Sequence, residues 1–393
     1  MAVVHLSIRS AGVDTMRYDV IVAGLGAMGS STAARLAIKG KKVLGLDRWV
    51  PGHRYGSSHG DSRIIREMYF EHPMYVPLLG RAYALWAELE QRIDDKLLTI
   101  HGGLMIGHEA GMLVTGTLRS AREHNLPYTL LSPAEVKRAY PAFDIDSDLV
   151  AVLDPRAGWL DPEKCNAAHL KVAAQHGADL RFEEPVISWK ADDGGVGVTT
   201  SHGTYEAEHL VLCVGARTKE LLGDPVLNLE IERQSVFWME APDDDRYRAE
   251  VFPIWAYEYK PGHICYGFPD LPRGVKASVM HSGKIVEDAD AVNRRVGDDE
   301  ADALMKAIEP VLPELSRARV QERDVCLFTN TADHDFVIDF HPAYARVLIS
   351  SACSGHGFKF ASVIGEIQAD LIADGSSRFD LGPFSIKRSG LQG

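Results

Sequence analysis

Tyr18 to Asp47 reads YDVIVAGLGAMGSSTAARLAIKGKKVLGLD, and the expected architecture follows from it. An apolar run, Val20 to Ala23, meets Gly24-Leu25-Gly26-Ala27-Met28-Gly29; an alanine-rich helical stretch with a small-residue face follows, and Lys39-Gly40 ends it. Lys41 to Leu46 reads as a second strand that finishes on Asp47. Strand, helix and strand in that order make a βαβ unit. In such a unit Gly24 permits the tight turn, Gly26 lets backbone N–H groups approach a pyrophosphate at the helix N-terminus, and Gly29 lets helix and strand pack closely. Asp47, about 20 residues further on, stands where a carboxylate accepts hydrogen bonds from a ribose hydroxyl. Ala27, Met28 and Arg48 belong to the same expected contact set. A glycine turn in a βαβ unit without a ligand is the competing reading, and the acid at the end of the second strand argues against it.

At 393 residues the chain is too long for one compact core, so two domains are expected. Hydrophobic residues at 46% and charged residues at 25% are ordinary for a globular protein. The net charge of −13 gives no electrostatic reason to bind nucleic acid or an anionic membrane. No apolar run approaches the length of a membrane span. Residues 1–16 read as an N-terminal extension without a secretory h-region, or Met16 is the start, and the C-terminal residues carry no peroxisomal address. Five cysteines at wide spacing, with no CxxC, favour a reducing, cytoplasmic setting over a disulfide scaffold or a zinc site. The histidines are scattered, so no metal is expected.

After the βαβ unit comes a long Gly, Ser and His-rich loop, 51–61, and long loops beside a nucleotide site tend to carry function. A helical pattern runs from about Tyr75 to Gln91, and short strands alternate with a helix at Pro133 to Ala139. A second α/β region has a helix from Pro162 to His176, strands near residues 179–182, 186–190 and 196–200, and a buried strand that ends at Gly215. Residues 230–321 are strand-rich and aromatic, as expected of an antiparallel sheet walling a pocket. A strand at Val347 to Ser350 then leads to Ser354-Gly355-His356-Gly357-Phe358-Lys359-Phe360, which opens a helix to Ala373. The nucleotide domain is therefore discontinuous, with a second domain inserted into it.

Four separated motifs carry a resemblance. The first βαβ unit, the loop His59-Gly60-Asp61-Ser62-Arg63-Ile64-Ile65-Arg66, the segment Cys326-Leu327-Phe328-Thr329-Asn330-Thr331 with Asp335-Phe336-Val337-Ile338-Asp339, and the SGHGFKF loop at residues 354–360 resemble monomeric sarcosine oxidases and N-methyltryptophan oxidases. The ending Phe379-Asp380-Leu381-Gly382-Pro383-Phe384 is similar to the latter. The resemblance implies an α/β fold: a glutathione-reductase-like, Rossmann-type FAD domain (residues 17–95, 158–222 and 322–388) with an inserted D-amino-acid-oxidase-like antiparallel-sheet substrate domain (96–157 and 223–321). It implies a monomeric flavoenzyme that oxidises the C–N bond of a secondary amino acid to an imine, reduces O2 to hydrogen peroxide and holds FAD through a cysteine thioether.

Residue by residue, the resemblance assigns Cys326 to flavin attachment, with Cys353 ranked second; read without the family, Cys326 is a small core residue. Arg66 and Lys359 match the pair that grips the substrate carboxylate, a planar fork and a point charge. Arg63, His59 and Ser62 match residues beside the flavin ring, where a cation would stabilise negative charge on the reduced cofactor. Lys276 matches the lysine over the flavin face that activates oxygen. Tyr266 matches an active-site tyrosine, Phe328 stands where sarcosine oxidase has another tyrosine, and His281 falls one residue later than the family spacing, which suggests a bulge. Ser57, Val186, Gly215, Gly355, His356, Gly357 and Phe358 complete the expected cofactor contacts. A nicotinamide-dependent dehydrogenase would use the same glycine turn but leaves Cys326 and the SGHGFKF loop without a purpose. A flavin dehydrogenase with another acceptor, an oxidase of sugar-modified amino acids, and a non-catalytic flavin protein are the remaining rivals, the last disfavoured by Arg66, Lys276 and Lys359 together.

Overall fold

The computed structural model describes residues 17–223, 226–242 and 245–391; the extension expected at residues 1–16 lies outside them. The opening stretch folds as β1 (Tyr18–Ala23), α1 (Ala27–Ile38) and β2 (Val43–Leu46). β1 lies in the middle of a mostly parallel sheet, with Val20 beside Val43 of β2 on one flank and Ile21 beside Leu210 of strand Thr204–Leu212 on the other. Asp179–Arg181 continues the sheet beyond β2, and Tyr344–Ser351 continues it beyond Thr204–Leu212. Helices cover this sheet, so β1 and β2 read as near-continuous apolar runs rather than alternating ones.

The glycines do what their spacing requires. Gly24 has φ +85, and a Cβ on it would lie 2.4 Å from the Cys213 carbonyl oxygen; a Cβ on Gly29 would lie 1.7 Å from the Gly24 carbonyl oxygen. The small face of α1 lets helix Ala361–Asp374 approach so closely that a Cβ on Gly365 would lie 2.1 Å from Ser31 Oγ. Leu36, Leu79, Leu85, Trp86 and Ile367 fill the core between these helices and the sheet.

The second sheet has nine strands. Its order runs from Lys284–Val286 through Glu230–Met239, Gly274–Val279, His263–Leu271, Ile254–Lys260, Gly103–His108 and Leu149–Asp154 to Thr129–Leu131, with Val320–Asn330 on the free edge of Glu230–Met239. It departs from the all-antiparallel expectation at one junction, where Ile254 pairs in parallel with Gly103 because the two strands come from separate passes of the chain. A small third sheet joins Arg63–Ile65, Gly158–Leu160 and Leu98–Ile100.

Other expectations also change. Residues 322–330, expected in the nucleotide domain, belong to the second sheet: the ladder from Glu230↔Asn330 to Met239↔Val320 keeps the chain there until Asn330. Helices Met112–Glu123 and Asp298–Ile308 stand where only strands and loops were expected. β-branched residues and Gly116 weaken the first as a pattern, whereas the second carries an acidic first turn and a Glu300 carboxylate that accepts from the Gly297 N–H at 3.1 Å. Among the described residues, no helix is long and apolar enough to cross a membrane.

Candidate functional site

A cavity of about 780 Å³ runs between the two large sheets, within the range of ligand sites. Gly24, Leu25, Gly26, Ala27, Met28, Asp47, Arg48, Val186 and Gly215 line one arm of it. The N-terminus of α1 opens here with no side-chain cap from Gly26, and the Ala27 N–H donates to Ser58 Oγ at 3.1 Å. Asp47 also braces the turn: Oδ2 accepts from the Leu25 N–H at 2.6 Å and Oδ1 from the Trp49 N–H at 2.8 Å. Arg48 is paired with Asp290 at 2.6 Å, so a segment from the second sheet closes over this arm. Gly29 does not reach the wall and acts through packing.

The middle of the cavity holds both candidate thiols. Cys326 lies on strand Val320–Asn330 with Sγ 3.4 Å from Arg63 Nη2, and that guanidinium also donates to the carbonyls of Ser62 and Ser57. Ser57 Oγ in turn donates to the Leu327 carbonyl. Cys353 accepts the Thr329 N–H at 3.4 Å, and burial pushes its thiol up. Of the two thiols, only Cys326 has the Arg63 guanidinium as a hydrogen-bond partner.

Gly60 and Asp61 both have positive φ, and their N–H groups donate to the Glu163 carboxylate at 2.6 and 3.2 Å. The turn thereby aims the carbonyls of Gly60 and Ser62 at Lys276 Nζ, at 2.6 and 2.9 Å. Lys276 is buried, and burial, then Arg63, lowers its pKa well below the ordinary lysine value. His59 is not on the cavity wall: its ring is 2% exposed behind the loop, Nδ1 is 3.5 Å from Asp324 Oδ2 without a hydrogen bond, and burial with Arg63 pushes its pKa to about 3.

The other arm is a cationic cradle in an aromatic wall. Arg66 lies 4.2 Å from the Tyr69 ring and 4.3 Å from the Phe70 ring, with Nη2 on both Glu71 oxygens at 2.6 and 2.5 Å. Lys359 Nζ donates to the His356 carbonyl at 2.7 Å; burial, then Arg66, pulls its pKa to about 7, against the attraction of Glu71. Burial would raise the Glu71 pKa, but Arg66, His356 and Lys359 together hold it below the ordinary glutamate value. His356, pushed by burial to about 4, is neutral near pH 7: the Tyr69 hydroxyl donates to Nδ1 at 2.6 Å and Nε2–H donates to the His334 carbonyl at 3.0 Å. Ala256, Ile264, Tyr266, Phe268, Met280 and Phe328 form the apolar side of this arm. Gly355, Gly357 and Phe358 also line it, and a Cβ on Gly357 would lie 1.9 Å from the Ala352 carbonyl.

His281 is the other histidine set off the wall. The strand has no extra residue between Lys276 and Val279, and the register shift of this ladder falls on the neighbouring strand, between Gly267 and Asp270; His281 follows in a left-handed turn, φ 51, with Nδ1 2.9 Å from Glu232 Oε2. Sequence reasoning missed Ser58, Glu71, Glu163 and Asp290. Lone serines and acids in loops or at a helix start carry no periodic signal, and only the fold shows what they face. Among the described residues, no group of His, Cys, Asp and Glu could hold a metal.

A flavin dinucleotide fits this wall: a Cβ on Gly26 would meet only Ser58 Oγ within 4 Å, at 3.4 Å, so main chain can approach a pyrophosphate there. A glycine turn on a helix N-terminus, joined by one cavity to buried cations and an aromatic wall, fits a dinucleotide-dependent oxidoreductase. The chain belongs to the FAD dependent oxidoreductase family, whose model matches residues 19–371. It is similar to the monomeric sarcosine oxidase of Streptomyces avermitilis, 40% identical over 376 residues that span 94% of this chain and 97% of that protein. It is also similar to the N-methyl-L-tryptophan oxidase of Yersinia pestis, 33% identical over 376 residues, spanning 95% and 100% of the two. The solved structure of NikD, an amino acid oxidase essential for nikkomycin biosynthesis, shares the fold with a TM-score of 0.81 at 24% identity, over 94% of this chain and 97% of that one.

Proposed function

We propose that this FAD-dependent enzyme oxidises secondary amino acids, N-methyl or cyclic, of the sarcosine or N-methyltryptophan type, with O2 as electron acceptor and hydrogen peroxide as product. The observation that carries this reading is the pair of buried cations, Arg66 and Lys359, on the wall of the cavity that begins at the glycine turn. Bound FAD would supply the two-electron acceptor and donor between the two half-reactions: the amine loses two electrons and two protons to become an imine that water hydrolyses, and O2 gains two of each to become hydrogen peroxide.

Arg66 and Lys359 fix the substrate carboxylate, which competes with Glu71 for the Arg66 fork. Burial near Arg66, Arg63 and Lys276 disfavours a substrate ammonium, so the amine binds in its neutral, reactive form without a dedicated base. Tyr266 and Phe328 shape the side of the pocket that takes the N-substituent and side chain; its apolar lining favours N-methyl and cyclic amines over sugar-modified ones. Lys276, whose Nζ donates to the Gly60 and Ser62 carbonyls, is the group we assign to O2 reduction, and Arg63 supplies positive charge at the cofactor and at the Cys326 sulfur. We assign Cys326 as the covalent tether, on the strength of its guanidinium neighbour. None of the five cysteines is in a disulfide, which supports a cytoplasmic location, and we take the enzyme to act as a monomer.

The test is oxygen uptake and peroxide formation by the purified yellow protein across sarcosine, N-methyltryptophan, pipecolate, proline and a fructosyl amino acid. Turnover of the N-methyl or cyclic amines with peroxide release is expected. Dye reduction without oxygen uptake would make it a dehydrogenase, and preference for the fructosyl substrate would overturn the substrate class.

A further inference from the structure

The C-terminal segment is docked against the back of the carboxylate cradle. Arg388 spends its whole guanidinium there: Nε and Nη2 reach the two Asp333 oxygens at 2.7 and 2.8 Å, Nη2 also reaches the Asp335 carbonyl at 3.0 Å, and Nη1 reaches the Phe336 carbonyl at 2.6 Å. Its side chain is only 11% exposed. Phe384, just upstream, packs 5.9 Å from the Phe336 ring and 5.5 Å from the Tyr75 ring, and Ser385 Oγ donates to Asp339 Oδ2 at 2.7 Å.

What Arg388 grips is a strained turn. His334, between the gripped residues, has φ 59, a left-handed conformation that a non-glycine residue keeps only when its surroundings hold it. The carbonyl of that same His334 takes the His356 Nε2–H at 3.0 Å, and the Phe336 ring stacks on the His356 ring at 4.8 Å. The His356 carbonyl holds Lys359 Nζ at 2.7 Å. Tyr75 donates to Asp335 Oδ1 at 2.8 Å from the opposite side, so the turn is fixed by two elements remote in sequence.

We propose that Arg388 is a positioning residue of the substrate site: by clamping the turn at residues 333–336 it sets the His356 loop and, through the His356 carbonyl, the place of the Lys359 ammonium. The inference rests on the reading that Lys359 grips the substrate carboxylate. The clamp touches neither substrate nor cofactor, and its effect is confined to carboxylate recognition.

The experiment compares wild type, Arg388→Ala, Arg388→Lys and Lys359→Met as FAD-loaded proteins. Steady-state kinetics use sarcosine and the carboxylate-free amine N-methylbenzylamine, alongside acetate binding by calorimetry and thermal unfolding. Arg388→Ala is expected to raise KM for sarcosine and Kd for acetate about tenfold, with kcat changed less than about twofold and N-methylbenzylamine turnover unchanged. Arg388→Lys, which pairs with Asp333 but lacks the fork for the carbonyls, should restore part of the loss. A fall in activity on both amines alike, or unchanged acetate binding in a folded Arg388→Ala or Arg388→Lys protein, overturns the clamp. If Lys359→Met itself leaves KM and acetate binding unaltered, the cradle reading fails and the inference falls with it; a Lys359→Met effect without an Arg388 effect refutes the clamp alone.

Discussion

At the glycine turn the cavity wall is main chain, whereas around Arg66 and Lys359 it is side chain. The first arm presents Gly24, Gly26 and the start of α1, which sequence alone brings together because they are neighbours in the chain. The second gathers Arg66, Lys276 and Lys359 from three separate segments, and each is buried. Buried charge has to be partnered, so each cation has its own acceptor: Glu71 for Arg66, the Gly60 and Ser62 carbonyls for Lys276, the His356 carbonyl for Lys359. Recognition by backbone is set by where a Cβ is forbidden. Recognition by buried charge is set by which acceptors the fold delivers.

This contrast makes the backbone arm brittle and the charged arm tunable. The largest effect is expected from Gly29→Val, whose side chain would start 1.7 Å from the Gly24 carbonyl oxygen; it should lose FAD and at least roughly 4 kcal/mol of stability, read by flavin absorbance and denaturant unfolding. A stable yellow Gly29→Val protein would break the comparison at its stronger side. Next, Cys326→Ala should release all its pigment on acid precipitation while Cys353→Ala retains it, because only Cys326 has the Arg63 guanidinium on its sulfur. Retention by the first variant would move the tether to Cys353.

On the charged arm, Lys359→Met should lower kcat/KM for sarcosine about 100-fold, through loss of a desolvated charge pair with the carboxylate. The smallest effect is a pH dependence. Burial and Arg66 set the Lys359 pKa near about 7, so Lys359 is a cation below that pH and neutral above it. Acetate, which has no titrating amine, should bind tightest below about pH 7 and lose up to about tenfold in affinity as the pH rises through it. Glu71, held low by Arg66, His356 and Lys359, stays ionised over this range, and His356, pushed to about 4, stays neutral. Calorimetric titration from pH 6 to 9 checks this; a slope that survives in Lys359→Met would assign the titration to another group.

Much of the backbone arm was legible in advance. Gly24, Gly29 and the run ending at Asp47 are local, and local sterics leave little choice. The cations were legible through motif resemblance, but their partners were not: nothing in Arg66-Glu67-Met68-Tyr69-Phe70-Glu71 marks Glu71 rather than Glu67 as the residue that meets Arg66. His59 and His281 show the reverse failure. Both sit near the right place in the chain, yet the loop turns one toward Asp324 and a left-handed residue turns the other toward Glu232, because spacing does not specify side-chain direction outside regular elements.

The order of residues was enough to establish a βαβ unit with a glycine turn, a discontinuous two-sheet architecture and a site able to take a dinucleotide, since apolar periodicity and glycine sterics act over a few neighbouring residues. Only the folded chain could show that strand Val320–Asn330 brings Cys326 under Arg63, that Glu71 and the His356 carbonyl hold Arg66 and Lys359, and that Arg388 reaches back to Asp333. Two of those pairings, Cys326 with Arg63 and Arg388 with Asp333, join separate segments of the chain, where a charge leaving water takes whichever acceptor folding has carried to it.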